Sequence, residues 1–169
     1  LNKKKLHVRN VNFVNTSIEK YKTHKRYNLV TCFEVLEHLE NESFILKKIS
    51  SMMDSVSALA ISVPSSNAPL YRLGLLGNFD RRVGHLRRYT FNEIKQKLNK
   101  AGFKFVRGFK YEGILRNILF TNKFLGQAIK LTKFTMINNL VTEIDNILLK
   151  LFGESQFVLI CKKKWKYYF

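Results

Sequence analysis

The chain has 169 residues, 46% of them apolar and 13% aromatic, with 30 Lys and Arg against 12 Asp and Glu; that is one domain's worth of core, and it excludes a disordered chain. The net charge of +18 admits an anionic partner such as nucleic acid, a phospholipid surface or a phosphorylated substrate, although lysine is spread along most segments, as a compositional bias would spread it. Cys32 and Cys161 lie inside apolar runs and no secretory signal opens the chain, so a reducing, cytoplasmic location is expected, and no window offers the roughly 18 uncharged apolar residues of a spanning helix.

In chain order, "LHVRNVNFVN" alternates apolar residues at Leu6, Val8, Val11 and Phe13 and reads as a strand. Tyr27 to Phe33 reads as a second. Asn41 introduces a helical period over Glu42 to Met53, and Val56 to Val63 is a continuous small-apolar run stopped by Pro64, as in a strand covered on both faces. Strand, helix, strand in this order predicts a parallel pair with a right-handed crossover. Pro64 to Tyr89 is a long irregular segment of the kind that forms a lid or binding loop. It ends at "TFNE", Thr90 to Glu93, a capping box before a helix that Gly102 stops. Phe103 to Tyr111 continues as a strand, Gly113 to Lys133 and Met136 to Phe152 as two basic, apolar helices, and Gln156 to Lys162 as a final strand. The two helices read first as a core face with solvated lysines and only second as a surface lying on a membrane, and the "KKKWKYYF" tail as an interfacial anchor or a plain terminus. With no repeat or linker, residues 1–169 are expected to form a single domain. The chain starts at Leu1 and its first methionine is Met52, which points to a missing front end.

The chemistry concentrates in "YNLVTCFEVLEHLEN", where an apolar strand runs directly into Glu34, Glu37 and His38. In a parallel α/β sheet, ligands sit outside the carboxyl ends of the strands, so groups after Phe33 and after Val63 face one crevice. A helical turn from Glu34 would put Glu34, Glu37 and His38 on one side. Three readings stay open at this point: a divalent-ion site, a histidine base tuned by two carboxylates, or a structural arrangement of acidic residues near a helix start.

"YNLVTCFEVLEHLEN", "SVPSSN" and "GHLRRYTFNEIKQKLNKAGF" together resemble, in order and spacing, the central and C-terminal motifs of class I S-adenosylmethionine-dependent methyltransferases. They are most similar to the branch acting on small molecules, quinone precursors and glycans. The resemblance implies a Rossmann-like α/β sheet in the order 3-2-1-4-5-7-6 with the last strand antiparallel. On that template Val11 to Asn15 is strand three, Tyr27 to Phe33 strand four, Val56 to Val63 strand five, Phe103 to Tyr111 strand six and Gln156 to Lys162 strand seven, with residues 113–152 a helical insertion between the last two. Strands one and two, with the glycine-rich cofactor loop, have no counterpart. The expectation is therefore an N-terminally truncated domain, its open edge completed by a missing segment or a partner chain.

Carried over by position, the resemblance implies that Ser17, Ile18, Cys32, Phe33 and Glu34 contact the cofactor, that Asn67, Arg87, Arg88 and Tyr89 face the acceptor, and that His38 or His85 is the base. Structural alternatives stand beside these: core for Cys32 and Phe33, solvated arginines ahead of the cap, a staple for Tyr89. Some relatives bind Mg²⁺ through an E-x-x-E-H group, and Glu34, Glu37, His38 and His85 reproduce those residue types. The implied activity is methyl transfer to a hydroxyl or amine of a small-molecule, sugar or lipid-linked acceptor, with peripheral membrane contact admissible and nucleic acid disfavoured as a partner. The other readings are an inactive remnant or assembly subunit, and a metal-dependent RNA 2′-O-methyltransferase.

Overall fold

A computed structural model describes residues 11–122 and 135–164. Its centre is a four-stranded sheet in the order β1-β2-β4-β3, built from β1 (Tyr27–Phe33), β2 (Met53–Pro64), β3 (Phe103–Tyr111) and β4 (Gln156–Lys163). β1 and β2 are parallel, with Cys32 opposite Ile61 and Phe33 opposite Ser62. Both therefore open at the same end, as the strand–helix–strand pattern predicts. β4 runs antiparallel between β2 and β3, the strand arrangement of the Rossmann-like methyltransferase sheet on this side.

The crossover helix α1 (Glu42–Ser51) starts at Asn41, whose side-chain oxygen accepts from the Phe44 N–H at 3.1 Å, so one free N-terminal donor is satisfied. Two short helices, α2 (Pro69–Arg72) and α3 (Gly77–Val83), occupy the segment expected to be irregular. α4 (Phe91–Lys100) carries the full capping box between Thr90 and Glu93 and ends at Gly102 in the left-handed region, φ 91°. One face of the sheet is packed by Ile45, Leu46 and Ile49 of α1 and by Ile94 and Leu98 of α4, which meet Leu59, Ile61, Val63, Phe103, Phe157, Leu159 and Cys161. At ~25 cal/mol per Å² of buried apolar surface, this layer supplies the main favourable term of folding. Between β3 and β4 lie α5 (Ile114–Thr121) and α6 (Thr135–Phe152). Residues 123–134 of the two expected helices, residues 6–10 of the expected first strand and residues 165–169 of the tail lie outside the described residues.

Two expectations need correction. Val11–Asn15 forms no strand; Val11, Phe13 and Val14 are exposed, without ladder partners among the described residues. A strand needs a hydrogen-bonded neighbour, and on the expected order two further strands separate this segment from β1. Second, the turn after β1 does not begin at Glu34. Glu34 adopts the left-handed region at φ 52°, and a 3₁₀ turn follows over Leu36–His38. Among the described residues β1 pairs only with β2, and Leu29 and Phe33 are 61% and 52% exposed.

Candidate active site

The carboxyl ends of β1, β2 and β3 and the amino end of antiparallel β4 meet at one cavity of about 210 Å³, lined by Glu34, Pro64, His85, Arg88, Glu112 and Gln156 among others. Glu34 is fixed there from both sides. The Ser62 hydroxyl donates to its Oε1 at 2.6 Å, the Gln156 amide donates to its Oε2 at 2.9 Å, and its own N–H donates to Ser62 Oγ at 3.0 Å. The left-handed turn thus sends the Glu34 side chain across the strand ends and away from Glu37 and His38.

Glu37 instead points into the protein, fully buried, and neither carboxylate oxygen has a hydrogen-bond partner among the described residues. Its Oε1 lies 3.6 Å from His38 Nε2 and 3.8 Å from His85 Nε2. Burial is the main force pushing this carboxyl up to about 7. The other nitrogen of each imidazole is occupied: His38 Nδ1–H donates to the Gly84 carbonyl at 2.9 Å, and His85 Nδ1–H to Asp80 Oδ1 at 3.1 Å. Both Nε2 lone pairs are thereby turned towards Glu37, the arrangement in which outer hydrogen bonds orient metal-binding histidines. His85 is brought here by α3, whose Gly84 ends the helix at φ 82° while the Gly84 and His85 N–H groups both donate to the Asp80 carbonyl. Burial holds the His85 imidazole below its ordinary value, with Asp80 opposing.

Asp80 is in turn held by Arg88, which donates from Nε to Oδ2 at 2.9 Å and from Nη2 to Oδ1 at 2.6 Å while stacking on Tyr71. This bidentate pair neutralises Arg88 within the cavity wall. Arg87 turns away, to Glu42 at 3.3 Å and the Glu40 carbonyl. Tyr89 is core: fully buried, it donates to Glu42, which also pairs with Lys97. Burial raises the Tyr89 hydroxyl well above its usual value. For Glu42, burial acts upward but the bonds from Lys97 and Tyr89 outweigh it, and the carboxyl sits below its usual value.

Of the sequence-derived site residues, the fold gathers Glu37, His38 and His85 within 4.8 Å of one another and places Glu34, His85 and Arg88 on the cavity. Cys32 is buried in the core and burial pushes its thiol up to about 11. Ile18 packs on the core edge; the Ser17 carbonyl accepts from the Lys20 and Tyr21 N–H groups, and Tyr21 pairs with Tyr27 at the amino end of β1. Ser17 and Ile18 therefore sit at the opposite end of β1 from the cavity. Asn67 is tied to Glu154 and Arg72 outside it. Sequence reasoning missed Ser62, Asp80, Glu112, Asn117, Ser155 and Gln156. Two of them, Ser155 and Gln156, were legible in principle, because the amino end of an antiparallel strand opens on the same side as the carboxyl ends of its neighbours.

One carboxylate with orphaned oxygens and two imidazoles, their donor atoms within 4.8 Å of one another, are a set that could hold a first-row divalent ion once they close in to bonds of about 2.1 Å. Mg²⁺, expected from the resemblance, prefers an oxygen shell, so the observed donor set suits Zn²⁺, Mn²⁺ or Fe²⁺ better. Separately, among the described residues no helix is long and apolar enough to cross a membrane.

A family model described as a methyltransferase domain matches residues 2–107. The ubiquinone biosynthesis O-methyltransferase of Rickettsia canadensis (strain McKiel) is 34% identical over 67 residues, 39% of this chain and 28% of that protein. Among solved structures, coclaurine N-methyltransferase bound to N-methylheliamine and SAH aligns with a TM-score of 0.60 at 14% identity, covering 92% of this chain and 54% of that one. A SAM-dependent methyltransferase from Archaeoglobus fulgidus aligns with a TM-score of 0.51 at 23% identity, covering 82% and 60%. The chain thus spans just over a quarter of that curated relative and little more than half of these structures. The likeness to the structures concerns the fold, whereas the family match takes in β1, α1, β2, α4 and half of β3: this chain belongs to the methyltransferase domain family.

Proposed function

We propose that the chain carries the acceptor half of a methyltransferase that uses S-adenosylmethionine on a small molecule. The observation that carries this reading is Glu34, locked by Ser62 and Gln156 where the parallel pair opens onto the cavity. An anchored carboxylate in a cleft suits a cationic ligand, and S-adenosylmethionine bears both a sulfonium and an ammonium group. Phe33 and Glu34 are the residues of this chain proposed to meet the cofactor. When bound, the cofactor supplies a methyl group already activated by its sulfonium, so the protein's share is positioning and removal of a proton.

Glu37, His38 and His85 are proposed to form either a proton-accepting cluster or a divalent-ion site beside the cavity. The orphaned oxygens of Glu37 favour the ion, which would supply positive charge beside the cavity. The edge of β1, which has no partner among the described residues, favours a second element of the reading: a further stretch of polypeptide pairs there, because such an edge on a parallel strand is a template for strand addition. Equilibrium binding of labelled S-adenosylmethionine tests the main proposal. Saturable binding by the folded chain, weakened at least tenfold by Glu34→Gln, is expected. A folded sample that binds none, with or without an added upstream segment, refutes it. Isothermal titration with Zn²⁺ and Mn²⁺ tests the ion site, and affinity unchanged in Glu37→Gln removes it.

A further inference from the structure

We propose that Glu112, Asn117 and Ser155 form the acceptor subsite of the cavity and that its ligand is a small primary or secondary amine. The proposal rests on the methyl-transfer reading for its chemistry, and on the cavity alone for its binding specificity.

The three residues come from separate elements and line one wall. Glu112 follows β3 in the left-handed region at φ 58°, with its carbonyl accepting from the Ser155 N–H at 2.7 Å. Gly113 then starts α5 under the Asp145 carboxylate, which accepts from the Gly113 and Arg116 N–H groups at 2.8 and 3.1 Å. This cap fixes Asn117 one turn further on. Asn117 and Ser155 are only 7% and 2% exposed, yet Asn117 Oδ1 and Ser155 Oγ have no partner among the described residues. Two buried, unsatisfied oxygens on a cavity wall each cost about 1–3 kcal/mol until something donates to them.

The charge of the wall names the ligand class. Glu34 and Glu112 face the cavity, whereas its cation Arg88 is neutralised by Asp80. Arg116, the positive group nearest Glu112 in effect, is committed to α6 through Thr142 and Asp145. In a chain of net charge +18, this cavity carries an excess of carboxylate. Its unmet hydrogen-bonding capacity is mostly acceptor capacity. A ligand with several N–H donors and a positive charge satisfies both; a carboxylate or phosphate satisfies neither. A volume near 210 Å³ suits a small head group rather than a large ligand.

The same residue is placed for the proton that amine methylation must remove. Burial first, then the charge of Glu34, carry the Glu112 carboxyl up to about 7, against the pull of Arg116, which matches a base working at neutral pH. The ammonium proton passes to a Glu112 oxygen and the freed nitrogen lone pair forms the N–CH₃ bond. The S–CH₃ bonding pair remains on sulfur, and the Glu112 proton leaves to water.

The test is a ligand-observed NMR titration of the full chain with benzylamine, benzyl alcohol and benzoate, run beside labelled S-adenosylmethionine binding. Benzylamine is expected to bind at least tenfold more tightly than the other two. Glu112→Gln should weaken it about 10–100-fold, the range of a charge-assisted hydrogen bond, while leaving cofactor affinity within threefold. Ser155→Ala keeps the backbone bonds and should weaken the amine severalfold, which guards against misreading a folding defect. Benzyl alcohol binding as well as the amine, or amine affinity indifferent to Glu112→Gln, overturns the proposal, as does Glu112→Gln abolishing cofactor binding instead. Amine binding that depends on Glu112 supports the subsite even if the cofactor fails to bind, so the two readings fail separately.

Discussion

Glu37→Gln should make the protein more stable at pH 8 and leave it nearly unchanged near pH 4.5. The carboxyl is fully buried with both oxygens unpartnered, and burial carries it from its ordinary 4.5 to about 7. Because the folded state keeps this proton to a higher pH than the unfolded chain, the contribution of this group to stability is greatest below about 4.5. It declines as pH rises through the interval to about 7, then levels off. At about 1.36 kcal/mol per tenfold, the full penalty of the ionised form is about 3 kcal/mol. Glutamine keeps the shape and the unmet hydrogen bonds but never ionises, so the difference between the two proteins follows the ionisation of this carboxyl. His85, whose neutral form the fold favours, titrates in the opposing sense, and because it lies 3.8 Å from Glu37 the difference includes the coupling between the carboxyl and the imidazoles. The assay is urea unfolding from pH 4.5 to 8 with a chelator present, with stability compared at each pH. A difference that stays flat across that range, or a variant weaker at pH 8, refutes the claim that an uncompensated buried carboxylate sits between the two histidines.

Asp80→Asn strips the nearly buried Arg88 of its bidentate partner and should cost about 3–5 kcal/mol, as breaking a buried pair does; urea midpoints at constant slope measure it. Gly113→Ala drives a Cβ to 2.6 Å from the Asp145 carbonyl and 3.0 Å from the Leu149 nitrogen, so α5 and α6 must part. A loss of about 1–3 kcal/mol is expected in thermal unfolding, and an unchanged Tm contradicts the close approach. Thr90→Ala removes the hydroxyl that caps Glu93 N–H at 3.2 Å and should lower stability by about 1 kcal/mol, read as a drop in Tm.

Where local chemistry decided structure, the sequence was transparent. The Thr90–Glu93 box, the Asn41 cap and the Pro64 stop each act within one turn of chain, and α4, α1 and β2 follow them closely. The small-apolar run before Pro64 marked an inner strand, paired with β1 on one side and β4 on the other. Val11–Asn15 had the alternation of a strand but, among the described residues, no partner to pair with, and alternation without an edge makes no ladder. The short helices α2 and α3 carry no side-chain cap, and their local signals are limited to Pro69 at the start of one and Gly84 at the end of the other.

The site was harder to read because it depends on backbone conformation and on strand direction more than on spacing. Glu34, Glu37 and His38 have the i, i+3, i+4 interval of one helical face, yet the left-handed Glu34 breaks that face and distributes the three over two environments. One carboxylate joins the strand ends through Ser62 and Gln156; the other is swallowed between two histidines. His85 was identifiable as a residue type, but only α3 and the Asp80–Arg88 pair explain why it reaches Glu37. Glu112 and Asn117 gave no signal, and Ser155 only that of the last strand's direction, because the three converge only when β4 turns antiparallel and brings its amino end beside the end of β3. That reversal lets a strand beginning, a helix and a strand end share one wall, and it puts the second carboxylate, Glu112, on the same small cavity as the first.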